Sequence, residues 1–331
     1  MDVLAANSLP WLSAAQIRLR QAGAAQRLPH SLLILSPPGL GAERLAHWAS
    51  AFALCEAHGE RPCGACAACL LLRSDSHPDF HVVRLEEDAH QIKVDQIRAL
   101  IEVLALKSYR GGYKVAVIEG AEALNTNGAN AFLKTLEEPA QNTLLIIIAT
   151  PSHRLPATIA SRCLRLNLRV PAPEAATAWL KANCTAARDW PVALALTHGA
   201  PLPALELDVA QMSVLETDMR ESLAQLAGDS VDVTLLADRW LKSHTALRIT
   251  WLENWITRRV INNLSVSPSC QTADPVGLPA ALLKPKIRAL FELLDATREF
   301  RGFALTSLNQ QLALEALLLS GRAALAKQGL R

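Results

Sequence analysis

One run of six residues, 144–149, constrains the fold more than any other part of the sequence, because it is apolar at every position. A strand with one face in water alternates apolar and polar residues, so a continuously apolar strand is buried on both faces. Strand-like and helix-like stretches alternate around it, at 32–35, 43–55, 80–85, 94–106, 114–118 and 127–138. This alternation predicts an α/β fold in which helices cover a parallel sheet.

The second half of the sequence predicts helices alone. Strand-like runs end near residue 168, and helical stretches follow at 174–204, 209–227, 231–264, 279–298 and 305–327. The Ser- and Pro-containing stretch 265–277 is typical of a loop. We therefore predict three domains: an α/β domain at 1–168, a small helical lid domain at 169–206 and an all-helical domain at 207–331.

Composition limits the classes of function that the chain can have. Half of its 331 residues are hydrophobic and 19% are charged, which is typical of a folded globular protein. The net charge of +2 gives no electrostatic case for tight nucleic-acid binding by this chain alone. Residues 1–16 lack the apolar run of a signal peptide, and no apolar stretch approaches the length that spans a bilayer. We expect a cytoplasmic protein without membrane contact.

A glycine-containing turn between the first strand and the next helix resembles a phosphate-binding loop. Such a loop reads G-x-x-x-x-G-K-[ST], in which the lysine neutralises phosphates and the hydroxyl holds magnesium. Here Ser36, Gly39 and Gly41 supply the turn, while Ala42 stands at the lysine position and Glu43 at the hydroxyl position. The alternative, a Pro/Gly turn unrelated to nucleotides, stays open on this segment alone.

The second element of an ATP site is also altered. Hydrolysing enzymes of this kind end a strand with Asp-Glu, one acid for magnesium and one for the attacking water. The strand 114–118 is followed instead by Glu119 and Gly120. We therefore expect no ATP hydrolysis by this chain.

Four cysteines lie close together in the sequence. Cys55, Cys63, Cys66 and Cys69 form C-x7-C-x2-C-x2-C within an insertion at 55–69. Four thiolates at this spacing suit one tetrahedral zinc ion, which would be structural because no coordination position stays open. A redox pair, buried thiols without metal and an iron–sulfur cluster are the alternatives, and the reserve ligands are His58, His77 and His81.

Three further stretches carry a family resemblance. Residues 92–98 read IKVDQIR, residues 130–139 read NAFLKTLEEP and residues 161–163 read SRC. In this order they resemble the AAA+ clamp-loader subunits of bacterial DNA polymerase III, and among these the subunits whose ATP motifs are broken. The resemblance covers about 29–168 through its motifs, and the remainder through helical architecture and length. It implies an AAA+ fold for the first domain, a four-cysteine zinc module, and a C-terminal collar for oligomerisation.

The resemblance also implies a role and partners. In this family the segment matching Ser161, Arg162 and Cys163 faces a neighbouring subunit, and its arginine reaches the ATP bound there. Partners would be the motor (gamma/tau) and wrench (delta) subunits of a hetero-pentamer, which loads a sliding clamp onto primer–template DNA. The chain would have no independent catalysis, although the holoenzyme is a DNA-directed DNA polymerase.

Other interpretations remain at this stage. Arg162 could be an ordinary salt-bridging arginine. The adjacent acids Glu137 and Glu138 point about 100° apart on a helix, so we expect solvent or Lys134 as their partner instead of a catalytic role. The alternative functions are an ATP-hydrolysing motor subunit and a zinc-ribbon DNA-binding protein.

Overall fold

The structure is a computed structural model that describes residues 8–86, 89, 91–151, 155–184, 188–228, 230–264, 287–303 and 309–326. The chain divides into two compact units, Met1–Pro171 and Ala172–Arg331. Within the described ranges, no helix is long and apolar enough to cross a membrane.

The first unit is built on a parallel sheet. Its five strands are β1 Ser31–Leu35, β2 Phe80–Val83, β3 Lys114–Ile118, β4 Thr143–Ala149 and β5 Leu164–Asn167. They are arranged in the order β2-β3-β4-β1-β5, and every pair is parallel. All seven residues of β4 are buried, as its continuous apolar run requires. The predicted α/β fold class is confirmed.

The described part of the first unit also contains six α-helices. They are α1 Ser13–Ala24, α2 Ala42–Leu54, α3 Ala67–Arg73, α4 Val94–Ala105, α5 Thr126–Glu137 and α6 Ala157–Ala160, with short 3₁₀ helices at Pro10–Leu12 and Ala121–Ala123. α4 and α5 share a core with one face of the sheet, to which Ile97 and Phe132 contribute fully buried side chains. The buried Lys114 ammonium donates to the carbonyls of Val103 and Leu106, which joins the start of β3 to the end of α4.

Every element of the second unit is a helix within the described residues. The helices are α7 Pro173–Asn183, α8 Trp190–Leu196, α9 Pro201–Glu206, α10 Val209–Ala227, α11 Val233–Lys242, α12 Thr245–Leu264, α13 Ile287–Phe303 and α14 Gln310–Ala326. α7 to α9 enclose a small core around Leu180 and Trp190, and a larger core includes Trp240 and Ile256. The division of this unit into a lid and a collar domain stays a prediction.

The prediction of a single helical stretch at 231–264 is wrong. α11 ends at Lys242, and the backbone of His244 adopts a positive φ of 53° that a continuing helix does not allow. The Thr245 hydroxyl then donates to the carbonyl of Trp240 at 2.9 Å and closes the break. The loop expected at 265–277 and the first residues of the two last helical stretches lie outside the described residues.

Candidate functional site

The turn after β1 keeps the backbone shape of a phosphate-binding loop. Gly39 and Gly41 have φ values of 78° and 81°, which lie in the left-handed region that favours glycine. Gly41 directly precedes α2, so the turn feeds a helix N-terminus, where free amides can bind anions. The indole of Trp11 donates to the carbonyl of Leu40 at 2.8 Å and fixes the turn.

A cleft of about 130 Å³ opens beside this turn, at the carboxyl ends of β1, β3 and β4. Ligands of open parallel sheets bind at this edge. The described lining residues include two acids and neither lysine nor arginine: Ser36, Pro37, Pro38, Gly39, Ala42, Glu43, Gly120, Glu122, Ile148, Ala149 and Thr150. The Glu122 carboxylate accepts hydrogen bonds from the hydroxyl and the amide of Thr150. The cleft therefore carries negative charge at the position where the negatively charged phosphates of a nucleotide would lie.

Glu119 directly follows β3, and Gly120, which lines this cleft, comes next with a φ of 67°. Burial raises the pKa of Glu119 above its ordinary value, and the Glu43 carboxylate raises it further. Arg84 opposes this shift from 3.7 Å. Glu43 and Gly120 line the same cleft, so the two altered motifs lie close in space.

Arg162 lies in the tight turn between α6 and β5. The Ser31 hydroxyl donates to its backbone carbonyl at 2.7 Å, which ties the turn to the first residue of β1. The Arg162 guanidinium donates from Nη1 to the carbonyl of Thr158 at 2.9 Å and to the hydroxyl of Ser161 at 3.3 Å. Its side chain is 35% exposed. Cys163, the third residue of the motif, has its thiol pKa raised by burial.

Glu137 is the ion-pair partner of Arg162. The carboxylate Oε1 at the end of α5 contacts Nη2 of the guanidinium. The expectation of solvent or Lys134 as the partner of Glu137 is wrong, because Glu137 pairs with Arg162, which lies 25 residues away in the chain. The sequence gives no local signal for a contact between α5 and the turn after α6.

The four clustered cysteines come together at the end of α2. Their Sγ atoms all lie within 4.8 Å of one another. Cys55 follows α2, Cys66 precedes α3 and Cys69 lies on α3, while Cys63 belongs to the loop between the helices. Among the described residues, this is the group of four that can hold a metal ion, and none of the reserve histidines belongs to it.

Local hydrogen bonds and burial shift the pKa values of these thiols in different directions. Backbone amides of Ala65 and Cys66 lower the pKa of the Cys63 thiol to about 6, and the Cys66 amide lies 3.3 Å from its Sγ. Burial raises the thiol pKa of Cys55 and of Cys69. The Sγ atoms of Cys55 and Cys66 are 3.9 Å apart. Tetrahedral ligands at about 2.3 Å from zinc lie about 3.8 Å from each other, so the four sulfurs fit a zinc ion.

Comparison with known proteins places these features in a family. A family model described as "DNA polymerase III, delta subunit" matches residues 12–172. The DNA polymerase III subunit delta′ of Pseudomonas aeruginosa is 33% identical, covering 95% of this chain and 97% of the relative. The delta′ subunit of Escherichia coli is 32% identical over 94% of each chain.

Among solved structures, a DNA polymerase III gamma subunit-related protein of Thermotoga maritima matches with a TM-score of 0.44. It is 16% identical, and the match covers 92% of this chain and 99% of that one. The resemblance drawn from the three motifs is confirmed by the sequence relatives, which extend it through the helical second unit. This chain belongs to the family of DNA polymerase III delta′ subunits.

Proposed function

We propose that this chain is the non-hydrolysing stator subunit of a clamp loader, which helps to load the sliding clamp onto primed DNA. The observation that carries the proposal is the cleft beside the Ser36–Gly41 turn. It has Ala42 where ATP chemistry needs an ammonium group and Glu43 where it needs a hydroxyl. A carboxylate in this place repels a triphosphate instead of binding it.

In such a subunit, Arg162 would act on the ATP bound by a neighbouring subunit. The turn that holds it is anchored on β1 through Ser31, and the side chain reaches solvent. An arginine finger supplied by a neighbour raises the rate of nucleotide hydrolysis by about 10³–10⁵ in well-studied enzymes. In this proposal Arg162 completes the ATP site of an adjacent motor (gamma/tau) subunit. The wrench (delta) subunit, the clamp and primer–template DNA are partners through the same hetero-pentamer.

The test is the substitution Arg162→Ala in a complex reconstituted from full-length motor, wrench and delta′-type chains. We expect DNA-stimulated ATPase activity to fall by at least the share of one motor site, and clamp loading to fall with it. Arg165→Ala is the matched control, because Arg165 is exposed nearby on β5 and donates to the neutral carbonyl of Ala160. Unchanged ATPase activity and clamp loading with Arg162→Ala would contradict the proposed arginine-finger role.

Nucleotide binding by the chain itself is a separate question. The turn amides could hold a phosphate without turnover, as in the alternative of a motor-type subunit. We expect a calorimetric titration of the full chain with Mg-ATP to show no saturable binding. Saturable binding at micromolar ATP would contradict the electrostatic reasoning about Glu43, even if Arg162 proves essential.

We also infer that Cys55, Cys63, Cys66 and Cys69 hold one structural zinc ion. The sulfur spacing fits tetrahedral coordination, and four protein ligands leave no site for substrate. The ion would fix the segment 55–69, which runs from the end of α2 into the first turn of α3. Metal analysis of the native protein by mass spectrometry should find about one zinc per chain.

A further inference from the structure

The Arg162 guanidinium is engaged on two sides by its own chain. Nη1 donates to the Thr158 carbonyl and the Ser161 hydroxyl, while Nη2 meets the Glu137 carboxylate. These partners differ in kind, because the first two are neutral and the third is an anion. Only Glu137 cancels the positive charge through which an arginine finger acts on phosphate.

We propose that Glu137 is a latch for Arg162, which neutralises the finger in the free chain and releases it to the terminal phosphate of the neighbour's ATP on assembly. The inference rests on the proposed finger role of Arg162 and adds a regulatory residue to it. Glu137 would touch neither ATP nor the attacking water. It acts only through the arginine.

The charges of Glu137 and of the incoming phosphate distinguish a latch, which releases Arg162, from a support, which stays bound to it. A carboxylate that stayed against the guanidinium would lie beside the incoming phosphate, and like charges at that distance repel. The ion pair and the phosphate contact therefore exclude each other. The exchange requires little free energy, because the side chains of Arg162 and Glu137 are 35% and 48% exposed. Exposed ion pairs contribute little to stability.

The neutral contacts explain why Arg162 keeps its position after its ion pair with Glu137 breaks. The Thr158 carbonyl and the Ser161 hydroxyl hold Nη1, and the Ser31 hydroxyl holds the backbone carbonyl of Arg162. None of these three cancels charge. The turn thus keeps its position on β1 while the other terminal nitrogen, Nη2, changes partner.

Glu137→Gln tests the latch, with Glu138→Gln as the matched control. Both acids are exposed and adjacent at the end of α5, and both substitutions remove one negative charge, but the ion pair to Arg162 is made by Glu137. The readout is the concentration of this chain that gives half-maximal DNA-stimulated ATPase in the complex reconstituted from full-length subunits. Thermal unfolding of each purified variant checks that the chain is folded.

We expect Glu137→Gln to lower this half-maximal concentration about two- to fivefold, with the maximal rate unchanged or higher. Such a change corresponds to about 0.4–1 kcal/mol at 1.4 kcal/mol per factor of ten, the range of exposed ion pairs. Glu138→Gln should behave as wild type. The advantage of Glu137→Gln should shrink as salt is raised, because exposed ion pairs are screened.

The cycle of Glu137→Gln with Arg162→Ala separates this inference from the proposal beneath it. In the Arg162→Ala background, Glu137→Gln should have no further effect, because the latch has nothing to hold. If Arg162→Ala impairs the complex but the two glutamine variants are indistinguishable, the latch is refuted and the finger stands. Weaker assembly with Glu137→Gln would also refute the latch and make Glu137 a support. If Arg162→Ala has no effect, both proposals fall.

Discussion

Removal of the metal ligand set is the sharpest test of the first unit, because the stabilisation can be worked from the length of the loop. A zinc ion bound by Cys55 and Cys69 closes a segment of 15 residues, counted from the first ligand to the last. The chain-entropy relation for a cross-link of about 15 residues gives about 3 kcal/mol at 25 °C. In a unit of this size, about 3 kcal/mol corresponds to a change of about 6–12 °C in Tm.

The variant is Cys69→Ser, which removes a buried thiol of the cysteine cluster on α3. We expect loss of about one zinc per chain, a lower Tm of the first unit, and faster amide hydrogen exchange in 55–73. A chelator should produce the same changes in the wild-type chain. Cys184→Ser is the control, since Cys184 follows α7 in the second unit and lies outside the cluster. It should keep the metal and the Tm.

Two outcomes would refute this reasoning. Wild-type protein purified without chelator and free of zinc would remove the metal claim itself. Zinc present in the native protein, but lost to chelator with no change in Tm or exchange, would show that the ion does not restrain the loop. In that case the contacts of α3 with α2 would hold the segment without the metal.

The remaining predictions concern the sheet and its loops. Asp79 is buried, but hydrogen bonds from the amides of Tyr109 and Arg110 and from the hydroxyl of Ser108 outweigh that burial and lower its pKa. Because the folded-state pKa is the lower one, its stabilisation is complete above about pH 4 and is lost as the pH falls further. Asp79→Asn should therefore cost about 2–3 kcal/mol in urea unfolding at pH 7 and less below pH 4, and an equal loss at both would contradict this. Phe132→Ala should cost about 3–5 kcal/mol, because the side chain is fully buried between α5 and the sheet. Leu106→Ala is its control, since Leu106 is 67% exposed and should change the free energy of unfolding by less than about 0.5 kcal/mol.

The parallel sheet could be predicted where burial leaves a strong pattern. The run 144–149 and the stretch 114–118 became β4 and β3 with at most one residue of difference, because both strands are buried along their whole length. β5 was not predicted. It is an edge strand in which Leu166 alone is buried, so its sequence carries no apolar run. β2, the other edge, ends at Val83 and is two residues shorter than predicted.

The cysteine cluster could be predicted from the sequence, but the contacts of Arg162 and of the turn after β1 could not. The cysteine spacing was sufficient for the cluster, since ligands so close in sequence are close in space in almost any loop. The pairing of Arg162 with Glu137 depends on how the turn after α6 packs against the end of α5, and neither segment encodes that locally. The same holds for Trp11, whose partner Leu40 is 29 residues away.

Contacts within the chain hold the turn after β1 and the cleft beside it. In a working site the phosphates satisfy the amides of the turn, and the acid at the end of the strand meets magnesium. Here the Leu40 carbonyl is fixed by Trp11, and the Glu122 carboxylate is satisfied by Thr150. Burial raises the pKa of Glu119, and Arg84 counteracts part of that shift. These contacts within the chain agree with the proposed stator role, in which this subunit would keep one conformation while its neighbours bind and hydrolyse ATP.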